Sequence, residues 1–157
     1  MTNTHVPDDI AAFLYLEARY ADESRYDDWE SLWADDAIYW LPTKDDSDPS
    51  VDVSYIYDNR SRIHSRLAQL KTGRRYSQSP PSKMRRMLSN LEVLSEDGTD
   101  VNIGANFVLY EHRNGTHVWA GRYLYTVRRT ADGLRLVKKT ALLVNNEDAI
   151  RTVAFII

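Results

Sequence analysis

The second half of the chain is divided into long segments by three turn signals: Asp97-Gly98, Asn114-Gly115 and Asp132-Gly133. Asn-Gly and Asp-Gly pairs readily adopt the backbone angles of a two-residue hairpin turn, and the segments around them are rich in β-branched and aromatic residues. The pattern predicts four strands, at residues 84–94, 101–112, 117–129 and 134–145. Because consecutive hairpins place neighbouring strands side by side, these turns limit this half of the chain to one antiparallel meander.

The first half of the chain has the periodicity of helices. Pro7, followed by two aspartates, is a typical helix start, because acidic side chains favour the positive end of a helix. A second helix is predicted to begin at the capping residue Asp58, to run through Leu70 and to be closed by Gly73. Residues 74–82 follow as a polar connector in which a proline pair prevents helix formation.

Residues 26–42, YDDWESLWADDAIYWLP, hold three of the four tryptophans: Trp29, Trp33 and Trp40. The spacing of Trp29 and Trp33 places them with Leu32 on one face of a short helix. Residues 37–41 then have the composition of a β-strand. Because large aromatic side chains bury more area than any others, we expect the three tryptophans to close one end of the core.

A chain of 157 residues is long enough to bury a substantial core, and we expect a single α+β domain spanning residues 1–157. The formal net charge of −3 gives no electrostatic reason to expect nucleic acid or an anionic membrane as a partner. No apolar run approaches the roughly 20 residues that span a bilayer, and no signal peptide opens the chain. The expected compartment is therefore the cytoplasm.

The chain contains no cysteine. This excludes disulfides, thiolate nucleophiles, zinc–thiolate sites and any iron–sulfur cluster held by this chain alone. A glycine-rich phosphate loop, a G-x-S-x-G elbow and an H-E-x-x-H zinc motif are also missing from the sequence. These absences leave carboxylates and histidines as the candidates for chemistry.

The predicted strands are apolar on both faces. In the third strand of the meander, Trp119 and Tyr123 lie on one face, while Val118 and Leu124 lie on the other. A sheet of this kind needs cover on both faces, and the helices of the first half can supply only one cover. We therefore expect the other face to meet another subunit, and the free chain to associate with itself.

Glu17 lies in the middle of the apolar arc of the first predicted helix. One interpretation is a side chain that extends to solvent. Another is a buried carboxylate held by an arginine, because a buried charge without a partner is costly. A third interpretation is a catalytic acid. The sequence leaves the three open.

His64 lies at the edge of the apolar stripe of the second predicted helix, where it faces either a cavity or solvent. Together with Asp27 or Asp28 it could form an acid/base pair in a cone-shaped cavity, as small dehydratases and isomerases of this architecture require. A surface role for His64 is the simpler interpretation, since nothing in the spacing selects this pair.

Two further clusters could bind ligands. His112 and His117 are expected to face each other across the Asn114-Gly115 turn, where they could bind a metal, although no third ligand is evident. Lys83, Arg85 and Arg86 could bind an anion or an acidic surface of a partner. A solvated hairpin tip and a solvated strand start explain the two clusters equally well. From its residues alone, the chain has no convincing active site.

The sequence resembles the small (β) subunit of aromatic-ring-hydroxylating dioxygenases, over residues 13–146. The likeness is carried by an ordered set of motifs: FLYLEARYAD, YDDWESLWADDAIYWLP, YDNRSRIHSRLAQLKTGRRYSQSPPSKMRRMLSN, WAGRYLYTVRR and LRLVKKTALLVNN. The fold that the resemblance implies is like that of nuclear transport factor two. In that fold, N-terminal helices pack in a cone formed by a strongly curved, mixed and mostly antiparallel sheet.

The resemblance implies a partner more than an active site. In this family a separate α subunit carries a Rieske [2Fe–2S] centre and a mononuclear iron, Fe(II), and three α subunits usually assemble with three β subunits. The family reaction adds both atoms of O₂ to an aromatic ring, with electrons from NAD(P)H, in aromatic hydrocarbon catabolism. The expected function is that of a non-catalytic structural subunit with no catalytic, cofactor-binding or metal-binding residues of its own. The expected partners are the α subunit and other β subunits.

Some positions match the family pattern in residue type, and we interpret them as structural or interface positions: Glu17, Arg74, Ser89, Asn90, Gly121 and Arg122. The chain departs from the pattern at Arg86, where the family often has histidine. It departs again at residues 152–155, where the family has Asn-Leu before an aromatic tail.

Overall fold

The computed structural model of the chain describes residues 4–74 and 76–157. Within them the elements follow the order α1 (Asp8–Asp22), α2 (Tyr26–Ser31), β1 (Trp33–Pro42), β2 (Ser54–Asn59), α3 (Arg60–Lys71), a 3-10 helix (Tyr76–Gln78), β3 (Lys83–Asp97), β4 (Asp100–His112), β5 (Thr116–Thr130) and β6 (Gly133–Leu143). Helices come first and a four-stranded meander follows, so the prediction of an α+β fold is confirmed. Residue 75, in the connector predicted at 74–82, lies outside the described residues.

The six strands form one sheet in the order β2-β1-β6-β5-β4-β3. The meander pairs antiparallel throughout, as the turn signals predicted, and β1 joins it by pairing parallel with β6. The turn between β4 and β5 has positive φ angles at both Asn114 and Gly115, 53° and 105°. Asparagine and glycine tolerate positive φ better than other residues, and this explains why the pair lies at the hairpin. Because His112 pairs with Thr116, the loop has three residues, 113–115, and not the two that the turn signal predicted.

Strand β2 was not predicted, and its presence corrects the predicted start of the second helix. Asp58 lies in β2, where its carboxylate accepts a hydrogen bond of 2.6 Å from Arg66 Nε. Asn59 is the capping residue instead, and its side-chain oxygen accepts a hydrogen bond from the backbone N–H of Arg62 at 3.0 Å. Asp58 and Asn59 are both suitable capping residues in the sequence. Which of them caps α3 depends on where β2 ends.

The cap gives a small test of local stability. Replacing Asn59 with alanine is expected to lower the free energy of unfolding by about 1 kcal/mol, because one amide at the start of α3 loses its partner. Ser65→Ala, at an exposed position inside the same helix, is the control and should change stability by less than about 0.5 kcal/mol. Thermal unfolding measures both, and equal losses would contradict the assigned cap.

The core lies between α1, α3 and the inner face of the sheet. The aromatic corner contributes Trp29 and Trp33, whose ring centroids are 5.3 Å apart, and Tyr39 packs on Trp29 at 5.6 Å. Trp40 does not join them: its Nε1 donates to Ser54 Oγ on β2, and the ammonium of Lys138 lies over its ring. The expectation that all three tryptophans close the core is therefore wrong for Trp40, because adjacent strand residues point to opposite faces.

None of the helices in the described part of the chain is both long enough and apolar enough to cross a bilayer.

Candidate functional site

The acid/base pair considered for His64 is not formed. His64 Nδ1 lies 2.9 Å from Glu30 Oε2, and the same oxygen accepts a hydrogen bond from Arg60 at 2.8 Å. Asp27 pairs with Lys71 and Asp28 pairs with Arg25. Sequence reasoning missed Glu30 as the partner, because 34 residues separate it from His64 and no spacing rule connects them.

The electrostatics of this cluster are those of a surface ion-pair network. Burial raises the pKa of Glu30, but hydrogen bonds from His64 and Arg60 outweigh that effect and bring the pKa below its ordinary value. The side chain of His64 is 64% exposed. An exposed imidazole beside an ionised carboxylate and a guanidinium stabilises the contact between α2 and α3, and its exposure to solvent is typical of a surface ion pair.

Glu17 lies in the interior of the molecule, and it is fully buried. Its Oε1 lies 2.8 Å from Lys139 Nζ, and the two groups form an ion pair whose angle is unsuitable for a hydrogen bond. Its Oε2 accepts a hydrogen bond from Trp29 Nε1 at 2.9 Å. The interpretation of a buried and paired carboxylate is confirmed, but the partner is a lysine and not an arginine. Lys139 was not singled out, because 122 residues separate the pair.

Lys139 is also fully buried, and its ammonium lies 4.3 Å from the ring centroid of Tyr123. Burial lowers the pKa of Lys139 to about 8, and the neighbouring Glu17 carboxylate limits the fall. A lysine and a carboxylate enclosed in this way form a structural pair, since substrate could reach them only if the core opened.

The basic cluster of Lys83, Arg85 and Arg86 is divided between surface and interior. Lys83 and Arg85 are exposed, whereas the guanidinium of Arg86 is fully buried. Arg86 donates to Asp22 Oδ1 at 2.8 Å and to the hydroxyl of Tyr123 at 2.8 Å. Lys83 and Arg85 point to one face of β3 and Arg86 points to the other, so the three side chains cannot form one anion site.

The predicted pairing of His112 with His117 is wrong. The register of the hairpin places His112 opposite Thr116 and Glu111 opposite His117. The observed register differs by one residue from the predicted one, so the two imidazoles lie on opposite faces of the hairpin. Among the described residues, no group of three or more histidines or carboxylates is placed to hold a metal ion.

The outer face of the meander carries a contiguous set of exposed apolar side chains, which we call the outer-face patch: Met87, Tyr110, Val118 and Val144. Their exposed fractions are 59%, 45%, 61% and 81%. Tyr110 pairs with Val118 across β4 and β5, and Met87 pairs with Val108, two residues further along β4 on the same face. The inner neighbours Leu109 and Trp119 are buried in the core, so the strands are apolar on both faces as predicted.

A polar cluster adjoins the patch on the same face. The guanidinium of Arg122 donates to Asn106 Oδ1 at 3.0 Å and is ion-paired with Glu92. Gly104 has no side chain, and this leaves the space that the guanidinium of Arg122 occupies. Four of the positions that match the family pattern lie in this polar cluster or beside it in sequence: Ser89, Asn90, Gly121 and Arg122.

A cleft of about 960 Å³ continues from the patch toward the ends of α1 and α3. Tyr110 lines both features. Apolar, basic and acidic residues line the cleft, and they include Glu23, Leu70, Lys71, Pro81, Met84 and Arg85. Sequence reasoning missed the cleft, because its walls come from four separate stretches of the chain.

Comparison with known proteins identifies relatives along almost the whole chain. The family described as "Ring hydroxylating beta subunit" matches residues 16–148. The benzoate 1,2-dioxygenase subunit beta of Acinetobacter baylyi is 29% identical over 145 residues, covering 87% of this chain and 85% of that one. The toluate 1,2-dioxygenase subunit beta of Pseudomonas putida is 34% identical over 113 residues, covering 68% and 70%.

The fold agrees with these matches. The crystal structure of the beta subunit of the benzoate 1,2-dioxygenase from Burkholderia mallei superposes with a TM-score of 0.79 at 27% identity. The superposition covers 99% of this chain and 100% of that one. The expected fold class, helices packed in a curved mixed sheet, is therefore confirmed by a solved relative.

Proposed function

This chain belongs to the family of ring-hydroxylating β subunits, and on that premise we propose that it is the non-catalytic small subunit of an aromatic-ring dioxygenase. It is a single domain over residues 1–157 that supports a large, iron-bearing α subunit. The α subunit adds both atoms of O₂ to an aromatic ring, using electrons from NAD(P)H. Because NAD(P)H is a reductant of the cytoplasm, the cytoplasm is the proposed compartment.

The outer-face patch is the observation that supports this proposal. A folded chain exposes large apolar side chains on three neighbouring strands and on the turn after β6 only at a cost, unless a partner covers them. The adjoining Arg122–Glu92 pair and Asn106 supply the polar rim that protein interfaces have around an apolar centre. We assign this face to the contact with the α subunit.

The family cofactors do not fit the donor groups of this chain. A Rieske centre needs two cysteine thiolates besides two histidines, and the chain has no cysteine. A mononuclear iron of this class needs two histidines and a carboxylate together, and the described residues contain no such group. Both iron sites are therefore assigned to the α subunit.

The proposed assembly has three α and three β subunits, with further contacts between β subunits. Val118→Asp places a charge in the centre of the patch, and a buried unpaired charge strongly disfavours association. Pulldown with a tagged α subunit is expected to recover the parent chain and to lose Val118→Asp. Val53→Asp, at an exposed valine in the loop 43–53 between β1 and β2, is the matched control and is expected to be recovered. Equal recovery of both variants would contradict the assigned face.

The rival function is a dehydratase or isomerase that uses His64 with Asp27 or Asp28. It requires turnover by the purified chain alone, abolished in His64→Ala. The Glu30–His64–Arg60 network gives no support for it. We expect no turnover, and His64→Ala is expected to assemble with the α subunit as well as the parent chain does.

The proposed substrates are aromatic carboxylic acids with one ring. The support is the names of the relatives, which act on benzoate and toluate. The complete oxygenase with its reductase is expected to consume O₂ with benzoate and not with biphenyl. Consumption with biphenyl alone would contradict this substrate class.

The free chain is expected to self-associate, because the patch has no cover without the α subunit. At micromolar concentration the parent chain should sediment faster than a monomer, and Val118→Asp should sediment as a monomer. A monodisperse monomer for the parent chain would contradict the expectation.

A further inference from the structure

The last four residues, 154–157, lie inside the molecule and not on its surface. Ala154, Phe155, Ile156 and Ile157 are 3%, 4%, 1% and 0% exposed. The segment belongs to no helix or strand, and it enters the core from a connector, 145–153, that also lacks regular structure. Arg151 and Thr152, just before it, are exposed. The segment is therefore buried without being part of the sheet.

Side chains of the sheet bind the backbone of this segment. Arg86 donates a hydrogen bond of 2.7 Å to the carbonyl oxygen of Ile156. The hydroxyl of Tyr39 accepts a hydrogen bond from the N–H of Ile157 at 2.9 Å, and it lies 3.1 Å from the carbonyl oxygen of the same residue. These contacts, made by groups from two distant strands, recognise a peptide in the way that a binding site does.

The aromatic residue of the segment has its own contact. The ring of Phe155 packs edge-to-face on Trp119, with the centroids 5.3 Å apart. The Nε1 of Trp119 is buried without a hydrogen-bond partner among the described residues. Aromatic contacts of this geometry add to the area that Phe155 buries, so Trp119 provides a specific slot for an aromatic side chain.

The groups that bind the segment also have partners outside it. Asp22 and Tyr123 hold the guanidinium of Arg86 by two hydrogen bonds, and Tyr39 packs on Trp29 and Trp33. These partners come from α1, α2 and the sheet. These partners hold the side chains of Arg86 and Tyr39 in position independently of the segment's contacts, and a site that is arranged in advance binds with less loss of entropy.

We infer that the interior of the sheet is a peptide-binding site, which residues 154–157 occupy in cis and which accepts the same residues of a second copy in trans. The ligand class is an apolar peptide with the sequence aromatic–aliphatic–aliphatic. The connector 145–153 has no regular structure, and its residues 147–149, 151 and 152 are exposed, although Asn146 within it is buried. It provides the length of chain that an exchange between copies needs, and exchange of an identical segment between copies is a low-cost route to dimers.

The first experiment uses the full chain with Phe155→Ala and Ile156→Ala, which weakens the occupant and leaves the site intact. The probe is a fluorescent heptapeptide with the sequence of residues 151–157. We expect it to bind this variant at least about tenfold more tightly than it binds the parent chain, whose site is occupied. A heptapeptide with alanine in place of the phenylalanine should bind about tenfold more weakly.

Phe13→Ala is the matched control, because it removes another buried phenylalanine ring, on α1, and leaves the segment in place. It should not bind the peptide. If the double variant is unfolded alone, the peptide is expected to restore the folded circular dichroism spectrum, since a ligand that binds the folded state stabilises it. The inference would be overturned if the double variant neither bound the peptide nor regained its fold with it. It would also be overturned if Phe13→Ala bound the peptide equally well.

The second experiment tests exchange between copies in a background with Val118→Asp, which removes association through the outer face. Mixing the Phe155→Ala/Ile156→Ala chain with a chain that has the parent segment should give a mixed dimer in native mass spectrometry. Excess heptapeptide should dissociate it. A mixed dimer that the peptide leaves unchanged, or no mixed dimer, would overturn the exchange in trans.

Discussion

Replacing Lys139 with methionine is expected to lower the free energy of unfolding by about 3–5 kcal/mol at pH 7. Methionine is similar to lysine in length, so the substitution removes the charge and little of the packing. The Glu17 carboxylate would then remain fully buried with Trp29 Nε1 as its partner, and a buried charge that has lost its counterion is strongly unfavourable. Urea unfolding followed by tryptophan fluorescence measures the loss.

The double variant Glu17→Leu with Lys139→Met separates the ion pair from the packing. Replacing both charges with apolar side chains of similar size removes the desolvation cost of the pair, so most of the lost stability should return. The single variant should therefore be less stable than the double variant. Losses that simply add in the double variant would show that Glu17 and Lys139 do not act as a pair.

The same pair predicts a pH dependence. Burial lowers the pKa of Lys139 to about 8, against an ordinary value of 10.5, and Glu17 limits the shift. Between these two values the unfolded chain holds a proton that the folded chain has released, so this group makes stability rise with pH. From pH 8 to 10 the parent chain should therefore gain stability relative to Lys139→Met. A constant difference over that range would contradict the lowered pKa.

Gly121→Ala is expected to cost about 3 kcal/mol, at the upper end for a side chain added to a packed interior. A Cβ at Gly121 would overlap the carbonyl oxygen of Leu142 on β6, and the carbonyl carbon would lie at 2.9 Å. Backbone atoms inside a ladder cannot move without disturbing the pairing of Gly121 with Leu143. The loss should therefore appear in the free energy of unfolding and in the recovery of folded protein.

Gly104→Ala is the matched control for this substitution. The nearest atoms to a Cβ at Gly104 belong to the guanidinium of Arg122 and the end of Leu94, which are flexible side chains. They can move aside, so the cost should stay near about 1 kcal/mol. If the two glycine variants lose the same stability, the clash with the backbone of β6 is not the reason that glycine occupies position 121.

The parts of the fold that the sequence predicted are those with local causes. Asn114-Gly115 sets its own turn, and the alternation along β5 places Trp119 inside and Val118 outside without reference to other strands. The side of Trp40 and the place of His112 in its ladder depend on register, which a one-residue shift reverses. The sequence therefore predicted the strands of the meander, but it missed β2 and these two orientations.

The contacts that sequence reasoning missed join distant residues. The Glu17–Lys139 pair and the hydrogen bonds from Arg86 and Tyr39 to residues 156–157 each close over a large part of the chain. A sequence can indicate that a buried charge needs a partner, as it did for Glu17, but it cannot indicate which residue the fold brings to it. The apolar outer face was predictable, because it follows from the pattern of each strand alone.

The most direct test of the proposed function is the composition of the complex that this chain forms in cells. The chain would be expressed with the proposed large subunit, purified through a tag on that subunit, and measured by native mass spectrometry and iron analysis. We expect equal numbers of the two subunits, a mass equal to three of each, and iron in the complex with none in the free chain. A chain that stays out of the complex while the large subunit assembles and binds iron without it would contradict the proposal.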